Sequence, residues 1–227
     1  MDQNSYRWGY RDPNEKGTKL SGFDIDLVRA IAKDLLGDPD KVTYRAIPTS
    51  RRIAALQDHT VDVVVRTMTI NCERIKQVAF SVPYFTAGQQ VLAPRRDTST
   101  TGYDARSLAG KKVCTAKGST GELKLDDPKT GARALGAHKV TVPNQLDCLV
   151  KLQLGEVDAV FTDNALAAGQ AAQDPTVHLV GRTVNDELYG VAMNLADKDL
   201  VRRVNKVLVD YRAGGAASPG RSPTTAG

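Results

Sequence analysis

Two apolar rhythms alternate along the chain. In "GFDIDLVRAIAKDLLG" the residues Phe23, Leu27, Ile31 and Leu35 recur every fourth position, with Asp24 near the start and Gly37 after the last turn. That spacing predicts an amphipathic helix with its stop signal. "KVTYRAI" reads as a strand, and "SRRIAALQD" after Pro48 as a short helix opened by Thr49 or Ser50. "VDVVVR" is continuous and β-branched, the pattern of a strand covered on both faces. Strands that alternate with helices predict an α/β fold with a mostly parallel sheet.

The second half repeats the first. "LQDHTVDVVV" (56–65) and "LQLGEVDAVF" (152–161) share Leu-Gln, a three-residue gap, Val-Asp and an apolar strand. Two similar lobes follow, although a helix–turn–strand unit of this kind also recurs by chance. The first strand runs into Arg66 and Thr67 and the second into Thr162 and Asp163, and ligands of open α/β sheets bind beyond such carboxyl ends. A third polar cluster, "VCTAKGSTGELKL", leads from a strand into Gly118, Ser119, Thr120 and Gly121 and then a helix. Amides converging there can seat a carboxylate or small oxyanion, or the turn can simply cap its helix. It lacks the GxxxxGK[ST] pattern of a triphosphate site.

At 227 residues and 41% hydrophobic content the chain can build a core. No run approaches the ~18 apolar residues of a membrane span, and "MDQNSYRWGY" lacks the charged-then-apolar order of an export signal. A cytoplasmic protein or a missing export segment is therefore expected. The net charge of +5 admits anionic partners. The charges are scattered and aromatics make up only 5%, which argues against a nucleic-acid groove. Cys72, Cys114 and Cys148 show no metal-ligand spacing, and no GxSxG, HExxH or Cys/His pairing marks an enzyme.

"GFDIDLVRAIAKDL", "LQDHTVDVVVRTMTINCERIKQVAFSVPYF", "GKKVCTAKGST", "LGEVDAVFTD" and "YGVAMNL", in that order over residues 7–212, resemble the polar-amino-acid family of solute-binding proteins of ABC importers. The glutamate-binding lipoproteins of actinobacteria are the nearest likeness. The resemblance implies a two-lobed type 2 periplasmic-binding fold with two crossing hinge strands. Lobe 1 would comprise residues 1–94 and 187–212, lobe 2 residues 95–186, and a disordered tail 213–227. It implies that Arg74 grips the α-carboxylate of a bound amino acid and that Thr69 and Thr67 hydrogen-bond its main-chain groups. Ser119 and Thr120 would donate to the carboxylate from the other lobe, and Asp163 would hold the α-ammonium. Arg11 and Arg52 fall where acidic-amino-acid binders place arginines for the side-chain carboxylate. Arg66 either joins them or lies outside the cleft.

The partners implied are free L-glutamate or a related amino acid and an ABC permease, with no cofactor, no metal and no nucleic acid, and a monomeric chain. An extracytoplasmic location, secreted or lipid-anchored, goes with them. An amino-acid-sensing domain of a receptor or kinase system is the alternative. Two departures from the family are the lipid-modified export segment and the aromatic-rich closing helix, in whose place "GGAASPGRSPTTAG" follows Arg212. Lobe 1 is accordingly expected to lack part of its cover. Cys114, at the end of a lobe 2 strand, and Cys148, on the helix beside it, are the expected disulfide pair in an oxidising compartment.

Overall fold

The structure, a computed structural model, describes residues 1–14 and 19–213. From the amino end run β1 (Asn4–Ser5), β2 (Gly9–Tyr10), α1 (Phe23–Leu36), a 3-10 turn (Thr49–Arg51), α2 (Arg52–Gln57), β3 (Val63–Val64), α3 (Cys72–Ile75), β4 (Ala79–Phe80) and β5 (Phe85–Ala87). The second lobe holds β6 (Gln89–Pro94), α4 (Ala105–Leu108), β7 (Lys112–Ala116), α5 (Thr120–Leu125), β8 (His138–Val142), α6 (Gln145–Gln153), β9 (Ala159–Asp163), α7 (Asn164–Gln173) and β10 (Val177–Val180). The chain then returns through β11 (Glu187–Tyr189) and β12 (Ala192–Met193) to α8 (Lys198–Ala213). The tail expected to be disordered lies, from residue 214 on, outside the described residues.

Lobe 1 is organised by α1. Asp24 and Asp26 occupy its first turn, and Gly37 ends it with φ 75°, a left-handed conformation that lets its amide reach Lys33 O. The buried face, Leu27, Val28 and Ile31, shares one core with Val204, Val207 and Leu208 of α8, so the last described helix covers this lobe. Beneath lies a three-stranded sheet in the order β3-β12-β4. Residues 41–47 keep a strand's alternation, with Val42 and Tyr44 packed on the core and Lys41, Thr43 and Arg45 exposed, yet they ladder with no strand among the described residues.

Lobe 2 carries a five-stranded sheet in the order β10-β6-β9-β7-β8. Its side chains divide by parity, as a pleated strand requires. Val91, Ala93, Val113, Ala159 and Phe161 fill one core, while Leu92, Cys114 and Val160 fill another against α6 and α7. Cys114 and Cys148 form a disulfide that ties β7 to α6, and Cys72 is a free, exposed thiol.

Two expectations change. Among the described residues only the β7–β8 and β7–β9 pairings are parallel, because β6, the first strand after the crossing into lobe 2, and β12, the strand that returns to lobe 1, run antiparallel to their neighbours. Gln89–Pro94 pairs with β9 and β10 and so belongs to lobe 2, which puts the first crossing at Gly88 rather than after residue 94. The crossing itself is the antiparallel pair β5–β11, with Phe85 opposite Tyr189 and Ala87 opposite Glu187.

Candidate functional site

The carboxyl ends of β3 and β9 meet at a tight cleft of about 30 Å³. Lobe 1 lines it with Asp2, Thr49, Arg52, Arg66, Thr67, Thr69 and Arg74, and lobe 2 with Ala116, Ser119, Thr120, Gly121, Gln145 and Asp163 among others.

Each arginine arrives by a different route. Arg52 starts α2 and is buried; its Nε donates to Thr49 O (2.9 Å) and its Nη1 to Arg66 O (3.1 Å). Burial, then the neighbouring Arg74 and Arg66, lower its pKa well below the ordinary value. Arg66 leaves β3 to donate to Thr49 Oγ1 (2.7 Å) and to form an ion pair with Asp2 (2.7 Å). Arg74 sits on α3, whose cap Asn71 accepts its backbone amide (2.9 Å). The Arg74 guanidinium spans the lobes, donating from Nη1 to Thr69 O (2.7 Å) and from Nη2 to Gly118 O (3.0 Å). Burial lowers its pKa, against the pull of Glu187 and Asp163.

Thr67 has φ 40°, which a β-branched residue rarely adopts. A buried carboxylate holds that turn: Asp24 accepts from Thr67 N (3.1 Å) and from Tyr84 Oη (2.8 Å). Burial pushes the Asp24 pKa up to about 7, opposed by those two hydrogen bonds. The signal that could have found it is the "GFDIDL" pattern, a carboxylate one residue into a helix that packs on the core.

Lobe 2 brings Asp163 at the end of β9, where Tyr189 Oη donates to it (2.6 Å). Burial and then Glu187 push the Asp163 pKa up to about 7, while Tyr189, Arg74 and Arg52 pull it down. Ser119 accepts from Glu122 N (3.0 Å) as the cap of α5, so its hydroxyl serves the helix as well as facing the cleft. Thr120 Oγ1 (2.7 Å) and Thr69 Oγ1 (2.5 Å) both donate to Oε2 of Glu187. The hinge strand β11 thus touches both lobes with alternate residues, Glu187 holding two threonines and Tyr189 holding Asp163.

Of the sequence-derived candidates, Arg52, Arg66, Thr67, Thr69, Arg74, Ser119, Thr120 and Asp163 line the one cleft. Arg11 does not; it is exposed, beside the β1–β2 hairpin, with its backbone amide donating to Gln3 O. Sequence reasoning missed Asp2, Asp24, Glu187 and Gln145. The last accepts from Ala116 N through Oε1, while its buried Nε2 has no hydrogen-bond partner among the described residues. Nothing in "NQLDCL" distinguishes that glutamine from an ordinary first-turn residue.

Two α/β lobes, crossed by paired strands and meeting on a buried cleft of opposed charges, define the fold of a binding protein for small polar solutes. Residues 1–218 match the bacterial extracellular solute-binding proteins, family 3, and the chain belongs to that family. It is 34% identical over 206 residues to the ABC transporter glutamine-binding protein GlnH of Bacillus subtilis (strain 168), covering 89% of this chain and 71% of the relative. Against the glutamate-binding protein GluB of Corynebacterium glutamicum the identity is lower, 27% over 217 residues, covering 91% and 70%. Among solved structures, an ancestral arginine-binding protein bound to glutamine superposes with a TM-score of 0.84 at 37% identity, covering 95% of this chain and 91% of that one. Members of this family bind amino acids outside the cytoplasmic membrane for ABC importers, and the relatives are binding proteins rather than enzymes.

Proposed function

We propose that the cleft captures a free acidic amino acid, glutamate ahead of aspartate, and presents it to an ABC permease. The observation that carries this reading is the burial in one cleft of Arg74 from lobe 1 and Asp163 from lobe 2, with Arg52 beside them. A guanidinium offers a carboxylate two parallel donors, which suits Arg74 to the ligand α-carboxylate. Asp163, once ionised, receives the α-ammonium. Thr67 and Thr69 serve the main-chain groups, and Ser119 and Thr120 meet the carboxylate from the other lobe. Arg52, which donates to two backbone carbonyls, takes the side-chain carboxylate. The protein acts as a monomer outside the cell, secreted or lipid-anchored.

One observation favours glutamine as a second reading. Arg66 is already matched by Asp2, and Glu187 adds a further carboxylate behind the threonines, so the three arginines face three carboxylates with Asp163 and leave no excess of positive charge for a ligand side chain. The unpartnered Gln145 Nε2 offers a neutral donor to either ligand. Calorimetry with glutamate, aspartate, glutamine and arginine tests the assignment. Glutamate is expected to bind most tightly; glutamine ahead of glutamate overturns the acidic preference, and no binding by any at millimolar concentration overturns amino-acid capture.

A further inference from the structure

Glu187 is buried at the start of β11, and its carboxylate gathers donors from both lobes. Oε2 accepts from Thr69 Oγ1 (2.5 Å) in lobe 1 and from Thr120 Oγ1 (2.7 Å) in lobe 2, while Oε1 accepts from Asn185 Nδ2 (2.8 Å). The direction of these bonds is set at Asn185. Its Oδ1 accepts from the backbone amide of Gln89 (3.0 Å), so its Nδ2 must face Glu187 and the Gln89 side-chain oxygen.

A threonine hydroxyl has one proton and two lone pairs. With that proton given to Glu187, Thr69 and Thr120 turn only lone pairs toward the cleft that they line. Lone pairs repel a carboxylate and suit an ammonium. Thr120 therefore meets a ligand carboxylate through its backbone amide, which in the first turn of α5 has no intrahelical acceptor, and not through its hydroxyl. Glu187 and Tyr189 alternate along β11 and so share one face of it. Tyr189 holds Asp163 as Glu187 holds the threonines, and this face of the hinge gathers their oxygens at one side of the cleft.

We propose that Glu187 is the positioning residue for the ligand α-ammonium. It takes both threonine protons, so that Thr69 Oγ1, Thr120 Oγ1 and Asp163 offer three oxygens to the three protons of a primary ammonium. The inference rests on the amino-acid reading of the cleft and deepens it: the site demands a free α-ammonium, whichever side chain follows. An α-hydroxy acid of the same skeleton has one proton to give there and leaves acceptors unmet.

The test is Glu187→Gln, which keeps the shape of the side chain. Asn185 still presents Nδ2, so the substituted amide turns its oxygen there and its nitrogen to the threonines, whose protons then point into the cleft. Titration calorimetry should show glutamate weakened by about tenfold or more, and its preference over α-hydroxyglutarate narrowed by a similar factor. Unchanged glutamate affinity, or equal loss of both ligands, overturns the proposal. Proton NMR of the unliganded protein should show two threonine hydroxyl protons protected from exchange with water, and neither in the Glu187→Gln protein. No protected hydroxyl proton in the wild type overturns it as well. Failure of the wild type to bind any amino acid overturns the capture reading and this role with it, whereas the other outcomes, in a wild type that binds, overturn this role alone.

Discussion

Lobe 1 and lobe 2 share a repeat and divide the labour of the cleft unequally. Lobe 2 is the better-braced half, a five-stranded sheet with two apolar cores and a disulfide. Lobe 1 has three short strands in its main sheet, yet it carries Arg52, Arg66, Arg74 and Asp24, all buried. Burying unpaired charge costs several kcal/mol, and here the guanidinium groups are met largely by carbonyls and hydroxyls. The lesson is that the bracing and most of the buried charge of the cleft sit in different halves of the molecule. The lobe with the costly groups is the one with less sheet to hold them.

The largest expected effect tests the bracing. Reducing the Cys114–Cys148 bond, whose residues are 34 apart in sequence, should cost about 4 kcal/mol by the chain-entropy relation, and the melting midpoint should fall by about 10 °C. Scanning calorimetry with and without reductant reads this. A fall with no loss of amino-acid affinity at 25 °C sharpens the division; equal loss of both would break it.

Next comes Arg52→Met, which should weaken glutamate by about 30-fold while glutamine loses much less, because only the charged side chain is left unpaired. Arg74→Met should weaken every amino acid alike. Titration calorimetry separates the two patterns, and parallel losses in the Arg52 variant would remove that residue from side-chain reading.

A smaller effect is set by pH. With its pKa raised from 3.8 to about 7, Asp163 holds a proton in the unliganded cleft below neutrality, whereas an ammonium partner needs the carboxylate. Binding should therefore release a proton, and affinity should fall by about tenfold per unit as pH drops below about 7. Titrations in buffers of different ionisation enthalpy count that proton. Asp24 and Asp163 bind protons more tightly folded than unfolded, so the unliganded protein should lose their stabilisation as pH rises from about 4 to about 7.

The smallest effect compares helix caps. Asn71→Ala and Asp104→Ala each remove a side chain that accepts a first-turn amide, at about 1 kcal/mol. Only the first should also weaken ligand, since α3 carries Arg74. Denaturant unfolding alongside binding distinguishes them.

How far these features were legible depended on how local their cause is. The α1 periodicity and the apolar runs of β3 and β9 announced themselves because burial imposes a period on neighbouring residues. Arg74 and Asp163 were legible through the resemblance and through their places at strand or helix ends. The Arg66–Asp2 pair joins residues 64 positions apart, and Glu187 meets threonines 118 and 67 positions away, contacts that no local pattern encodes. Arg11 was misplaced for the same reason, its neighbourhood being set by a hairpin of two-residue strands. "KVTYRAI" read as a strand because its alternation is real, while a ladder needs a partner that its own sequence cannot supply.

Gly118 has φ 77°, and a methyl group built there would stand 2.8 Å from Ser50 Cα, so one hydrogen atom decides how near the two lobes can come. Affinity is the intrinsic value scaled by the fraction of molecules able to close. That clearance therefore acts as a gain control, lying outside the contacts assigned to ligand selection. Adding bulk at this point turns the response down for every amino acid by the same factor, leaving the order of preference among them intact.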